Sequence, residues 1–174
     1  MLRAAIYGPG RWGNRLVESV QNSEKIRFVK GISRNPETHR EFSQKTGIRI
    51  VSSYARVLKD PEIDAVVLAT PHSLHHKQIV QAAKAGKHVY VEKPMTLTRK
   101  TAEKAVEACR AAGITLGLGF NRRYAPSFLE MMRRIRAGEI GDVLHVEAQQ
   151  SGPSGYRLKA GNWRASRAES PAGG

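Results

Sequence analysis

A single cysteine in 174 residues, Cys109, excludes an internal disulfide framework, so an apolar core has to hold the chain together. Its setting, Val106-Glu107-Ala108-Cys109-Arg110, is helical in pattern and reads as a packed thiol rather than a nucleophile. Such usage fits a reducing compartment, and the cytoplasm is expected. No apolar run is long enough to span a bilayer. The short run at 2–7 leads straight into a glycine turn, so it reads as a strand and not as the core of an export signal. Acidic residues are scarce, with 15 Asp+Glu against 29 Lys+Arg and a net charge of +14. That excess is spread along the chain and forms no basic stripe. Its densest cluster, Arg133-Arg134-Ile135-Arg136, lies opposite Leu129 and Met132 at helical spacing, the pattern of a solvated helix face. Nucleic acid is therefore not an expected partner, and neither is a membrane.

What is present is a repeated alternation of short apolar runs with segments of 3.6-residue periodicity. Strands are expected at 2–7, 26–32, 48–51, 65–69, 89–91 and 114–118. Helices are expected at 14–21, 36–44, 54–59, 74–85 and 98–112. This order of βα units implies an α/β fold, a doubly wound parallel sheet with right-handed crossovers, over residues 1–120. The pattern changes after Phe120. A helix is expected at 126–137 and an amphipathic strand at 142–149, where Val143, His145 and Glu147 alternate with Leu144, Val146 and Ala148. Residues 152–174 read as loop. Residues 121–174 are accordingly expected to begin a second, incomplete α/β domain.

Gly8-Pro9-Gly10-Arg11-Trp12-Gly13 is a G-x-G-x-x-G string set between the first strand and the first helix. In that setting the first glycine makes the tight turn, the second admits a pyrophosphate to the backbone, and the third lets helix and strand pack closely. A capping turn that binds nothing is the bland alternative. Trp12 packs on the domain or stacks on a ligand, and Arg11 assists the phosphates or faces solvent. At the end of the second strand, Ser33-Arg34-Asn35 stands where an NAD-preferring site places a carboxylate. Ser33 can donate to a 2′-phosphate and Arg34 can pair with it, so NADP is expected in preference to NAD.

Two further strings carry a family resemblance: Ala69-Thr70-Pro71-His72-Ser73-Leu74-His75-His76 and Ala85-Gly86-Lys87-His88-Val89-Tyr90-Val91-Glu92-Lys93-Pro94. With the glycine turn, Gly119-Phe120-Asn121-Arg122-Arg123, Gly138-Glu139-Ile140-Gly141 and Asn162-Trp163-Arg164, the chain resembles the Gfo/Idh/MocA family. The resemblance implies a Rossmann domain followed by an α/β domain that often makes oligomer contacts. It also implies hydride transfer between a nicotinamide cofactor and a hydroxyl or carbonyl of a sugar, cyclitol or small polyol. Lys93, matching the Glu-Lys-Pro lysine, becomes the substrate-orienting and proton-relay residue, with Glu92 orienting it or the ribose.

Thr70, Pro71, His72 and His75 match the segment lining the cofactor. His72 stands where relatives often carry asparagine. For His75 packing competes with cofactor contact, and His76 is expected in solvent. Asn121 and Arg122 match a segment near the nicotinamide, with a capping role for Asn121 as the alternative. Trp163 and Arg164 match a segment that orders the cofactor. The family's histidine acid/base lies in a stretch that normally follows a glycine run like Gly173-Gly174, so none of the six histidines here is assigned that role. The expected chain binds cofactor without a complete active site, as part of a homo-oligomer in its full-length form. A non-enzymatic dinucleotide-binding module or redox sensor is the competing reading.

Overall fold

The computed structural model describes residues 1–149, 151–153 and 161–171. Six parallel strands form one sheet: β1 (Leu2–Tyr7), β2 (Ile26–Ile32), β3 (Arg49–Val51), β4 (Ala65–Leu68), β5 (His88–Val91) and β6 (Leu116–Leu118). Their order is β3-β2-β1-β4-β5-β6, so the winding reverses between β1 and β4. This is the doubly wound α/β fold read from the sequence. The helices are α1 (Arg11–Ser19), α2 (Arg40–Thr46), α3 (Tyr54–Leu58), α4 (His72–Lys84), α5 (Arg99–Ala111) and α6 (Pro126–Arg136).

Strands covered on both faces must be apolar throughout, and β4 is the clearest case, with all four residues buried. One core cluster joins Ile32, Val66, Leu68 and Val91 to Ile79, Ala82 and Ala83 of α4 and to Ala105 and Cys109 of α5. The other joins Ile6, Phe28 and Val67 to Val17 of α1 and Phe42 of α2. Cys109 is a packed thiol, and burial pushes its pKa up, away from nucleophilic use. α5 starts where Thr98 and Thr101 cap each other reciprocally, which satisfies amides at a helix end.

The rim where the strands begin is tied by polar contacts. The Arg3 N–H donates to Asp64 Oδ2 at 2.7 Å, and the Thr115 N–H donates to His88 Nδ1 at 3.0 Å. Lys87 Nζ donates to the carbonyls of Asp60 and Ile63 at 2.9 and 2.7 Å, while Lys30 pairs with Asp60.

Past β6 the chain departs from expectation. Residues 142–149 form no strand and lie exposed, with Leu144 at 94%. Alternation makes a strand only where a neighbour takes up its N–H and C=O groups, and no ladder partner exists among the described residues. α6 forms as expected, yet Phe128, Leu129 and Met131 of its apolar side remain exposed. The basic cluster is a solvated face: Arg133 pairs with Glu130 and Glu139, and Arg134 with Glu130. Of the stretch read as loop, 161–171 is described and contains a single 3-10 turn at Trp163–Ala165. Residues 154–160 and the Gly173-Gly174 run lie outside the described residues.

Candidate functional site

In a parallel sheet every strand ends at the same rim, so the sequence-predicted residues are gathered by topology before any side chain is placed. Gly8–Gly13 follow β1, Ser33 and Arg34 follow β2, Thr70–His75 follow β4, Glu92 and Lys93 follow β5, and Asn121 and Arg122 follow β6. The ends of β1 and β4 are neighbours at the reversal point. Gly10 and Lys93 thus share one rim.

Each glycine of the first turn has its own reason. Gly8 sits at φ +89°, and a Cβ there would lie 2.7 Å from the Ala69 carbonyl oxygen. A Cβ on Gly13 would lie 2.3 Å from the Gly8 carbonyl oxygen, so α1 can sit this close to β1 only without one. Gly10 is different, because a Cβ there would meet nothing within 4 Å. Its bareness serves no internal packing and leaves room for something outside the protein. Gly10 is also the N-cap of α1 and provides no side-chain cap, at the helix end where amides and dipole favour an anion. A diphosphate fits this turn.

Arg11 is exposed on the first turn of α1. Trp12 is half-buried with the Arg15 guanidinium 5.7 Å from its ring centroid, and its Nε1 is a buried donor with no hydrogen-bond partner among the described residues. At the end of β2, Ser33 Oγ accepts from the Asn35 N–H at 3.3 Å, and only a long 3.4 Å contact with the Asn35 carbonyl engages its proton. Arg34 is exposed beside it.

The segment after β4 turns more side chains inward than expected. The Thr70 hydroxyl donates to Gln78 Oε1 at 2.6 Å and is buried. His75 has 0% exposure, with Nδ1 2.9 Å from the Pro94 carbonyl oxygen and Nε2 3.0 Å from that of Thr70. With no surface left, its ring cannot touch a cofactor; it clamps the β4–α4 turn to the Glu-Lys-Pro turn. Burial pushes its pKa down, against the pull of the two carbonyls. His76, expected in solvent, is half-buried, and its Nδ1 has no partner among the described residues. Pro71 is the N-cap of α4, and both it and His72 are half-buried at the helix start.

Glu92 is buried at 7%, and its Oε2 accepts from the Lys93 N–H at 3.3 Å. Burial and this carboxylate together push the Tyr90 pKa up, the phenol hydrogen-bonding to Glu92. A Cβ on Gly119 would come within 2.8 Å of Glu92 Oε1, so the bare backbone after β6 makes room for that carboxylate. Lys93 itself is exposed and has no ion pair among the described residues. Asn121 and Arg122 lie exposed in the 3-10 turn Asn121–Tyr124, where Asn121 follows the cap residue Phe120 and does not cap.

Sequence reasoning missed the partner that brings Trp163 and Arg164 to this rim. Glu169 accepts from the Ser73 N–H at 2.9 Å and from the Ser73 hydroxyl at 2.5 Å, and its carbonyl accepts from His72 Nδ1 at 2.7 Å. Trp163 packs edge-on to His72 at 4.9 Å between centroids, and the Arg164 guanidinium lies 4.4 Å from the Trp163 ring centroid. Burial and then Arg11 push the Arg164 pKa down, while Glu92 acts the other way, so Arg164 stands within electrostatic reach of both. Nothing in the local sequence signals a bond spanning 96 residues.

Residues 2–120 match the model of the Gfo/Idh/MocA oxidoreductase family, NAD-binding Rossmann fold. The chain belongs to this family. Among Gfo/Idh/MocA relatives, the scyllo-inositol 2-dehydrogenase (NAD(+)) of Bacillus subtilis (strain 168) is 36% identical, aligned over 84% of this chain and 43% of its own length. The inositol 2-dehydrogenase of Mycolicibacterium smegmatis is 38% identical, over 83% of this chain and 43% of its own. The chain therefore spans less than half the length of these curated relatives. A candidate NADPH-dependent oxidoreductase from Desulfitobacterium hafniense DCB-2 superposes with a TM-score of 0.90 at 29% identity, over 99% of this chain and 50% of that one. The WlbA dehydrogenase of Bordetella pertussis, solved with NADH and UDP-GlcNAcA, gives 0.75 at 31% identity, over 80% and 41%.

Proposed function

We propose that residues 1–120 are the cofactor-binding domain of an NAD(P)-dependent oxidoreductase acting on a hydroxyl or carbonyl of a sugar, cyclitol or related polyol, and that residues 121–174 begin its second domain. The carrying observation is the glycine turn, where two glycines are demanded by close packing and the third, Gly10, faces open space. The named relatives are inositol dehydrogenases, which supports the substrate class.

The backbone at Gly10 and the first turn of α1 bind the diphosphate, with Arg11 and Arg164 supplying positive charge. Arg34 and Ser33 read a 2′-phosphate, and no carboxylate at the end of β2 stands ready to bond a free ribose hydroxyl, so NADP is preferred over NAD. A nicotinamide cofactor held there would supply the hydride chemistry. Lys93 orients the substrate oxygen and stabilises the charge that develops on it as its proton leaves or returns. Glu92, holding the Lys93 amide, fixes the turn from which that ammonium projects. Thr70, Pro71, His72, Asn121, Arg122 and Trp163 shape the surrounding walls. A single buried thiol suits the cytoplasm, the dispersed basic charge suits an anionic cofactor and not nucleic acid, and the full-length protein is a homo-oligomer.

Titration of the chain with NADPH and NADH, followed by nucleotide fluorescence, tests this reading. NADPH is expected to bind more tightly, and Arg34→Ala to weaken NADPH by about ten- to hundredfold, the weight of one charge-assisted bond, while leaving NADH largely unaffected. Much tighter NADH binding overturns the NADP preference. Absence of binding by either nucleotide overturns the site.

A further inference from the structure

We propose that Glu169 is a positioning residue: it anchors the 161–171 segment on the start of α4, and so holds Arg164 at the mouth where the diphosphate binds. The proposal rests on the cofactor reading above and adds to it a residue that touches no cofactor.

Three contacts and one ring packing make the anchor. Both oxygens of the Glu169 carboxylate take Ser73 donors, one from the backbone of the first turn of α4 and one from the hydroxyl. The Glu169 carbonyl takes the His72 ring proton. Partial burial pushes the Glu169 carboxyl up, but the Ser73 bonds and His72 outweigh it and hold its pKa below the usual carboxylate value, so it is ionised at neutral pH. Six residues back along the same segment, Trp163 packs edge-on to that same His72. His72 is thus gripped from both ends of one short stretch of chain, and Arg164 is carried between the grips.

The consequence is electrostatic. Arg164 stacks on Trp163 within electrostatic reach of Arg11, whose like charge opposes it. An untethered arginine would swing away from a second guanidinium into water. Glu169 and Trp163 hold it in place, and a dianionic diphosphate turns the repulsion between Arg11 and Arg164 into shared attraction. Glu169 acts only through Arg164. A mere cap on α4 would raise the stability of that helix and leave the contribution of Arg164 untouched.

A double-mutant cycle on the 174-residue chain separates these roles, with NADPH affinity as one readout and Trp163 fluorescence in a Trp12→Phe background as the other. Arg164→Ala is expected to weaken NADPH by about ten- to hundredfold. Glu169→Ala is expected to weaken it several-fold and to shift Trp163 emission toward that of a solvated indole, with the far-ultraviolet dichroism unchanged. Glu169→Asp, which keeps the carboxylate, should recover part of both effects. In the doubly substituted chain the loss should equal that of Arg164→Ala alone. Additive losses, or an unmoved Trp163 signal, overturn the proposal. If the unsubstituted chain binds no nucleotide, the cofactor reading fails and takes the positioning role with it. If it binds and Glu169→Ala binds equally well, only the role of Glu169 is overturned.

Discussion

Placing a methyl group on Gly10 and on Gly13 should have opposite consequences, although the two positions are three residues apart in one turn. At Gly13 the added Cβ falls 2.3 Å from the Gly8 carbonyl oxygen, where ordinary contact begins at about 3.4 Å. Either α1 or the β1 turn must therefore retreat by about 1 Å. Both sides are backbone, so no side-chain rotation relieves the clash. Overpacking of that kind costs about 1–3 kcal/mol, which for a chain of this size lowers the melting temperature by roughly 2–12 °C. At Gly10 the Cβ meets no protein atom within 4 Å, and φ of −80° suits an L residue. Gly10→Ala should melt within a degree or two of the parent (about 0.5 kcal/mol or less), yet lose most of its NADPH affinity, because the methyl group occupies the diphosphate's approach. Thermal melting by circular dichroism, paired with nucleotide titration, reads both. A Gly10→Ala chain that binds NADPH as well as the parent would refute the reasoning, and a Gly13→Ala chain with unchanged melting would refute the packing half.

Two predictions concern pH. His75 is held below its ordinary pKa by burial, so its contribution to stability is complete above about 6.5 and is lost as pH falls through the depressed value; His75→Phe should abolish that acid-limb dependence in a melting series and cost about 1–3 kcal/mol by removing the single ring N–H that the Thr70 or the Pro94 carbonyl accepts from the neutral ring. Tyr54 is buried and donates to the Gln78 carbonyl at 3.0 Å, and burial, with Tyr7 adding to it, raises its pKa. Stability from Tyr54 is present below the ordinary tyrosine value of about 10 and lost as pH climbs beyond it; Tyr54→Phe should flatten the alkaline limb of the melting curve, at a cost of about 0.5–1.5 kcal/mol near neutrality.

Much of this fold was legible because its signals are local. The apolar run at β4 and the glycines of the first turn each describe their own surroundings. The parallel order then gathers the rim without further information. The failures share one cause. The exposure expected for His76 fails at a helix start where the string alone does not say which side chains turn inward, and the choice between packing and cofactor contact for His75 needed Pro94, 19 residues on. Glu169 was invisible because an acid near a serine 96 residues away has no periodicity. At 142–149 alternation alone predicts a half-buried strand, but a strand also needs a neighbour, and pattern cannot supply one.

The polar ties at the rim where the strands begin carry a practical meaning. Arg3 with Asp64, His88 with Thr115, and Lys87 with the Asp60 and Ile63 carbonyls fasten the sheet at the end remote from every proposed ligand contact. Foundation and mouth are thus written in separate sets of residues. An engineer could reinforce the one against heat, or recut the other for a new substrate, and expect each change to leave its counterpart undisturbed.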